Sequence, residues 1–183
     1  MNTSHAPVYT TDDFARTTTT GDEAHATTTG DYAHATTAGD FAHATTAGKY
    51  AHATTAGGFA HAATTGDYAH ATAASDFAHA TTTGAYAHAA TAGRLTYATT
   101  TGIFAHAATT GRRSNASVSG ENAIAVAVGA NSYARAADGG FIVLAQYDED
   151  TVVAVKTAQV GKDGIKPDTW YKLSPTGEFI EAE

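Results

Sequence analysis

A chain of 183 residues with a formal net charge of −8 lacks the excess of Lys and Arg that neutralising a phosphate backbone requires, so no direct nucleic-acid binding is expected. The absence of cysteine excludes a disulfide framework and any Cys-ligated metal centre. Hydrophobic residues reach 43%, but Ala supplies much of that total and the larger aliphatics concentrate near the end, which points to a shallow core held mainly by backbone ladders.

Residues 1–11 show no basic run followed by an apolar segment, and no stretch of the chain is long and apolar enough to span a membrane, so neither a leader nor a membrane contact is expected. This segment is predicted to be an N-terminal cap that covers open strand edges. Asn2-Thr3-Ser4 and Asn115-Ala116-Ser117 match the glycosylation sequon, a pattern too short to carry weight alone.

From Asp12 a nine-residue register begins, with Asp13-Phe14-Ala15-Arg16 as a degenerate first unit. The unit reads Gly-Asp-Tyr-Ala-His-Ala-Thr-Thr-Ala at 30–38, and Gly recurs at every ninth residue from Gly21 to Gly129 with Ser75 as the one exception. Such self-similarity marks a stacked-repeat architecture. Nine residues advance a helix by about 900°, so successive units would face opposite ways, and each unit carries a helix-weakening Gly. Short strands, at 32–37 and 41–46 for example, joined by an Ala-Gly-Asp turn, suit the pattern better.

The third position of successive units reads Tyr32, Phe41, Tyr50, Phe59, Tyr68, Phe77, Tyr86, Leu95, Phe104. Because Tyr and Phe alternate, the environment repeats every eighteen residues. The predicted fold is all-β: a parallel β-solenoid, flattened into a β-roll with two nonapeptide strands per coil. Seven coils span 12–137, with Tyr units lining one face and Phe/Leu units the other. Strand alternation then places the two Ala and the eighth-position Thr inside, and the aromatic, His and seventh-position Thr outside. The reverse choice would bury a column of imidazoles among Ala side chains that offer no hydrogen-bond partner.

The second position, Asp22, Asp31 and Asp40 at first and Arg94 and Arg112 later, drifts from acidic to basic; it reads as a solvated turn position where Asp is simply a good turn former. After Gly111 the period persists, but Ile124 and Val126 replace outward His and Thr, and the final segment is expected to cover them. Phe141 to Tyr147 and Thr151 to Val155, joined by Asp148-Glu149-Asp150, read as a hairpin, and Trp170-Tyr171-Lys172-Leu173 with Glu178-Phe179-Ile180 as a second. Residues 138–183 are therefore predicted to form a small C-terminal β cap domain.

No nucleophile elbow, phosphate loop, zinc-protease or EF-hand spacing occurs, and the unit lacks the Gly-Gly-x-Gly-x-Asp of calcium-binding rolls. No catalytic residue, metal site or cofactor is expected. The suggestive feature is the fifth-position His column, which an eighteen-residue coil splits into His25/43/61/79 and His34/52/70/88/106, one about 4.8 Å from the next. Adventitious Zn²⁺ or Ni²⁺ binding is one reading; a stacked ladder maintained by repeat duplication is preferred. The expected interaction ladders are Tyr32, Tyr50, Tyr68 and Tyr86, Phe41, Phe59 and Phe77, and His34, His52, His70 and His88.

The run at 119–136, Ser-Gly-Glu-Asn-Ala-Ile-Ala-Val-Ala-Val-Gly-Ala-Asn-Ser-Tyr-Ala-Arg-Ala, resembles the head repeats of trimeric autotransporter adhesins, which form left-handed parallel β-rolls. Over nearly its full length the chain is similar to a group of phage- and prophage-borne nonapeptide-repeat proteins that end in a Phe141-Ile142-Val143-Leu144-Ala145-Gln146-Tyr147-Asp148-like segment and an Asp168-Thr169-Trp170-Tyr171-Lys172-Leu173 block. That resemblance implies a viral or mobile-element origin, with the host cytoplasm or the virion as location, and carries no activity with it.

The expected function is thus a non-enzymatic structural or protein-interaction module that presents its ladders to a protein partner such as a host factor. The aromatic columns lead us to expect a homo-oligomer, a trimer ahead of a dimer. Two alternatives are an acidic solenoid that mimics nucleic acid and inhibits a host defence enzyme, and an ice-binding protein built on Thr ladders such as Thr36/Thr54/Thr72.

Overall fold

The computed structural model describes residues 7–162 and 164–182. These contain β-strands and no helix, and so no helix long and apolar enough to cross a membrane. The strands are β1 (Val8–Thr10), β2 (Arg16–Thr20), β3 (His25–Thr29), β4 (His34–Ala38), β5 (His43–Ala47), β6 (His52–Ala56), β7 (His61–Thr65), β8 (His70–Ala74), β9 (His79–Thr83), β10 (His88–Ala92), β11 (Tyr97–Thr100), β12 (His106–Thr109), β13 (Asn115–Val118), β14 (Ile124–Ala127), β15 (Tyr133–Ala136), β16 (Phe141–Asp148), β17 (Thr151–Gln159), β18 (Tyr171–Leu173) and β19 (Phe179–Glu181).

They form two sheets. Odd-numbered strands from β1 to β15, followed by β18 and β19, make one of ten strands, and β17, β16 and the even-numbered strands down to β2 make the other of nine. Within the repeat each strand residue pairs in parallel with the one eighteen positions on, His34 with His52 and Ala35 with Ala53 for instance. Sixteen parallel strands at two per turn make about eight turns, half a turn more at each end than the seven coils of 12–137. The parallel β-solenoid is thus the observed fold.

The interior is as thin as the small side chains allow. Ala33, Ala35 and Thr37 of one unit are buried, as are their counterparts in its neighbours, while His34 and Thr36 between them face outward. At the C-terminal end larger groups take over, with Val118, Ile142, Leu144, Val160, Ile165 and Tyr171 buried in one cluster with the Ala columns.

The corners differ from expectation. Strands begin at His, so Tyr32 and Phe41 are not strand residues: each third-position residue sits in the turn with a left-handed backbone, φ 58° at both. What holds this conformation is inter-coil hydrogen bonding, in which Tyr32 N–H donates to Lys49 O at 2.9 Å and Phe41 N–H to Gly58 O at 2.9 Å. The Tyr units do make up one sheet (β4, β6, β8, β10) and the Phe/Leu units the other (β5, β7, β9, β11), but their third-position side chains leave the strands and run as columns along the two edges where the sheets meet. Gly opens each corner because coils touch there. At Gly48, φ is +155° and a β-carbon would overlap the carbonyl oxygen of Gly30. Ser75 is the one corner in this run without Gly, and there its Oγ accepts the Gly57 N–H at 3.1 Å, where Gly39 N–H instead reaches the backbone oxygen of Ala56.

The second-position Asp also does more than tolerate a turn. Asp31 Oδ1 accepts the Lys49 N–H at 2.8 Å, Asp40 Oδ1 that of Gly58 at 2.8 Å, and Asp76 Oδ1 that of Arg94 at 2.7 Å, so each carboxylate clasps the coil above it. The Arg94 backbone and guanidinium hydrogen bonds hold the Asp76 carboxyl below its usual value.

Both C-terminal hairpins form, by β16 with β17 and by β18 with β19. They continue the two sheets edge to edge, β16 beside β14 and β18 beside β15, so Ile124 and Val126 are flanked by Phe141 and Val143 in register. At the other end β1 covers the β3 edge and Thr10 Oγ1 meets Thr17 Oγ1 at 3.0 Å. The remainder of the expected N-terminal cap, residues 1–6, lies outside the described residues.

Candidate functional site: the outward ladders

Four columns of rings follow from the eighteen-residue register. Along one edge Phe14, Tyr32, Tyr50, Tyr68, Tyr86 and Phe104 form a continuous stack with centroids 4.9–5.2 Å apart. Along the other Phe41, Phe59 and Phe77 stack at 5.0 and 4.7 Å, between Glu23 and Leu95 at the same corner position. These side chains are 37–69% exposed, so their ring edges face solvent while their ring faces cover one another.

The His columns lie on the sheets themselves. His34, His52, His70, His88 and His106 stack at 4.8–5.0 Å on one sheet, and His25, His43, His61 and His79 at 4.7–4.9 Å on the other, where Tyr97 continues the column. A Zn²⁺ ion binds imidazole nitrogen at about 2.0–2.1 Å, so two nitrogens sharing it lie no more than about 4.2 Å apart. Parallel rings one rung apart are too widely spaced for that. Among the described residues no three His, Asp or Glu side chains gather to hold a metal ion.

Burial lowers the pKa of His43, His52, His61, His70, His79 and His88 from the usual 6.5, and for all but His79 the charge of a neighbouring His adds to it. The unfolded chain therefore binds more protons below 6.5 than the folded one. Stability from these groups is complete above pH 6.5 and is lost as pH falls through the lowered values. The melting temperature is expected to hold steady from pH 8 to 7 and to drop between 6.5 and 5, each kcal/mol lost appearing as about 2–4 °C. Salt recovers only the part due to repulsion. Replacing His34, His52, His70 and His88 by Gln should flatten the slope, and an unchanged slope would dismiss the stack as its source.

The structure thus brings together every predicted ladder residue, the aromatics at corners and His on sheet faces. That Tyr97 interrupts the His position is legible in the sequence; what the sequence reading missed is the continuation of that column, where Asn115 follows Tyr97 and Tyr133 follows Asn115. Its signal was visible as departures from the unit after Gly93: Leu95, Arg113 and Asn131 at the third position, and Asn115 at the fifth. Comparisons with protein-family models, curated proteins and solved structures find no match.

Proposed function

We propose that the chain is a non-enzymatic structural and interaction module of phage or prophage origin, a stiff two-sheet rod that offers its outward ladders to a protein partner such as a host factor. The six-ring stack from Phe14 to Phe104, with neighbouring rings within 4–11° of parallel, carries this reading. Side chains already ordered against one another lose little freedom on docking, and Tyr offers apolar area and a hydroxyl together.

The same exposed stripes favour self-association, with a trimer ahead of a dimer. Light scattering at micromolar concentration should report an oligomer, and a monomeric mass would remove this part of the proposal. A Tyr32→Asn, Tyr50→Asn, Tyr68→Asn, Tyr86→Asn variant keeps a residue that this corner already accommodates at Asn122 and Asn131. It should lose both the oligomer and any partner cross-linked by the unmodified protein. Retention of the same cross-linked partner would rule out the edge as the docking surface.

Nucleic-acid mimicry has less support, because the Asp carboxylates are turned to backbone N–H groups and interrupted by Lys49, Gly58, Ala85 and Arg94. Ice binding has less support too, since a stacked His column runs beside each outward Thr column.

A further inference from the structure

The break in the His column has the shape of a missing ring. On the ten-stranded sheet the column runs His25, His43, His61, His79, Tyr97, Asn115, Tyr133, one residue per rung. His79 stacks on one face of Tyr97 at 4.9 Å, and the other face looks onto the Asn115 rung. Beyond it, Lys172 Nζ lies 5.8 Å from the centre of the Tyr133 ring. The register pairs β18 with the opposite side of β15, so the Tyr133 face toward β13 also looks onto Asn115. Two tyrosines are thus held two rungs apart, about 9.6 Å, with a short carboxamide between them in place of an imidazole. A planar ring inserted at that rung would stand about 4.8 Å from each, the distance at which the ladder already stacks.

Three further observations describe what that ring would carry. A cavity of about 510 Å³ lies over this rung, lined by Leu95, Tyr97, Arg113, Asn115, Asn131 and Tyr133. A second of about 450 Å³ shares Leu95, Arg113 and Asn131 with it and adds Arg94 and Arg112. Both fall in the size range of small-molecule sites. Arg94 is engaged by Asp76 and Arg112 by Asp150, whereas exposed Arg113 forms no ion pair among the described residues. Its planar guanidinium is suited to a phosphate. Finally, Asn115 Oδ1 is buried without a hydrogen-bond partner; the other side-chain atoms in that condition among the described residues are the interior Thr hydroxyls, which leaves Asn115 as the one on the outer face. A carboxamide is the group that pairs with the amino and ring-nitrogen edge of a base.

We propose that the Tyr97–Asn115–Tyr133 slot with Arg113 binds a free mononucleotide, the base filling the vacant rung, its amino edge on Asn115 and its phosphate on Arg113. The fit goes beyond the partner-binding role of the Tyr and Phe edges and is independent of it.

The probe is adenosine 5′-monophosphate, with adenosine and ribose 5-phosphate as separate arms, titrated into the full chain by calorimetry and proton NMR. Binding at millimolar concentration or tighter is expected, with the adenine H2 and H8 signals shifted upfield by the flanking rings. Adenosine should bind about tenfold more weakly, and ribose 5-phosphate should show no comparable affinity. Asn115→His restores the repeat's own ring and should cost at least about tenfold in affinity while leaving the melting temperature unchanged or raised. Arg113→Gln should bring the nucleotide down to the affinity of adenosine. No binding of the nucleotide overturns the proposal, as does ribose 5-phosphate binding equally well, which would mark a plain anion site. Unshifted adenine protons in the bound state also overturn it, and that readout needs no variant.

Discussion

A chain cut after Ala137 is expected to come out of solution. The cut removes β16 and β18, which pair with β14 and β15, and so leaves the last coil of both sheets with bare hydrogen-bonding edges. It also removes Ile142, Leu144, Val160 and Ile165, all buried. At about 1.5–3 kcal/mol for each such side chain, the loss is roughly 6–12 kcal/mol, comparable to the whole stability of an ordinary domain. Before the cut the buried interior is Ala, Thr and Ser with Val118 as its larger aliphatic, and these bury too little to compensate. Sedimentation and circular dichroism of the truncated chain check this. If it stays in the supernatant with its full β-sheet signal, the hairpins are an appendage and not the plug of the roll.

Gly48→Ala should be among the most costly single substitutions in the repeat. The added methyl overlaps the Gly30 carbonyl, and φ of +155° is a conformation that residues with a β-carbon rarely adopt. Strain of this kind costs about 1–3 kcal/mol. If the coils separate to relieve it, the Gly48 N–H loses its 2.9 Å bond to Thr65 O, at about 1–3 kcal/mol more. A total of about 2–6 kcal/mol would lower the melting temperature by roughly 4–24 °C. Gly48→Ser should lose less, because its hydroxyl can accept a neighbouring corner N–H as Ser75 does from Gly57. Equal melting temperatures for the Ala and Ser variants would show that the hydroxyl has no such role.

The nonapeptide spacing made the two-strand coil readable, because Tyr and Phe alternation reports a period of eighteen and Ala-x-Ala-x-Thr reports which side is narrow. The corner was not readable. A tyrosine with positive φ is uncommon enough that strand propensity places Tyr32 in a strand, and only the inter-coil bond to Lys49 O makes the turn preferable. The role of Asp31 and Asp40 was hidden for a similar reason: their partners are eighteen residues away, beyond the reach of turn rules that consider neighbours in sequence. At the candidate slot, nothing within the nonapeptide itself marks Asn115; only the eighteen-residue register sets it between two tyrosines.

The constancy of that register bears on how such a gene can change length. Unequal exchange that adds or removes eighteen residues leaves each Ala under an Ala, each His under a His, and both ends of the rod unaltered, so rods of different reach can arise without a refolding problem. An exchange of nine also keeps the small residues inward, but everything downstream then changes sheet. The Tyr edge would continue as a Phe edge, and the terminal hairpins, still paired with β14 and β15, would sit on the opposite sheets relative to the N-terminal coils. Recombination within this repeat is therefore filtered to even numbers of units, and length becomes a heritable trait that varies in whole turns.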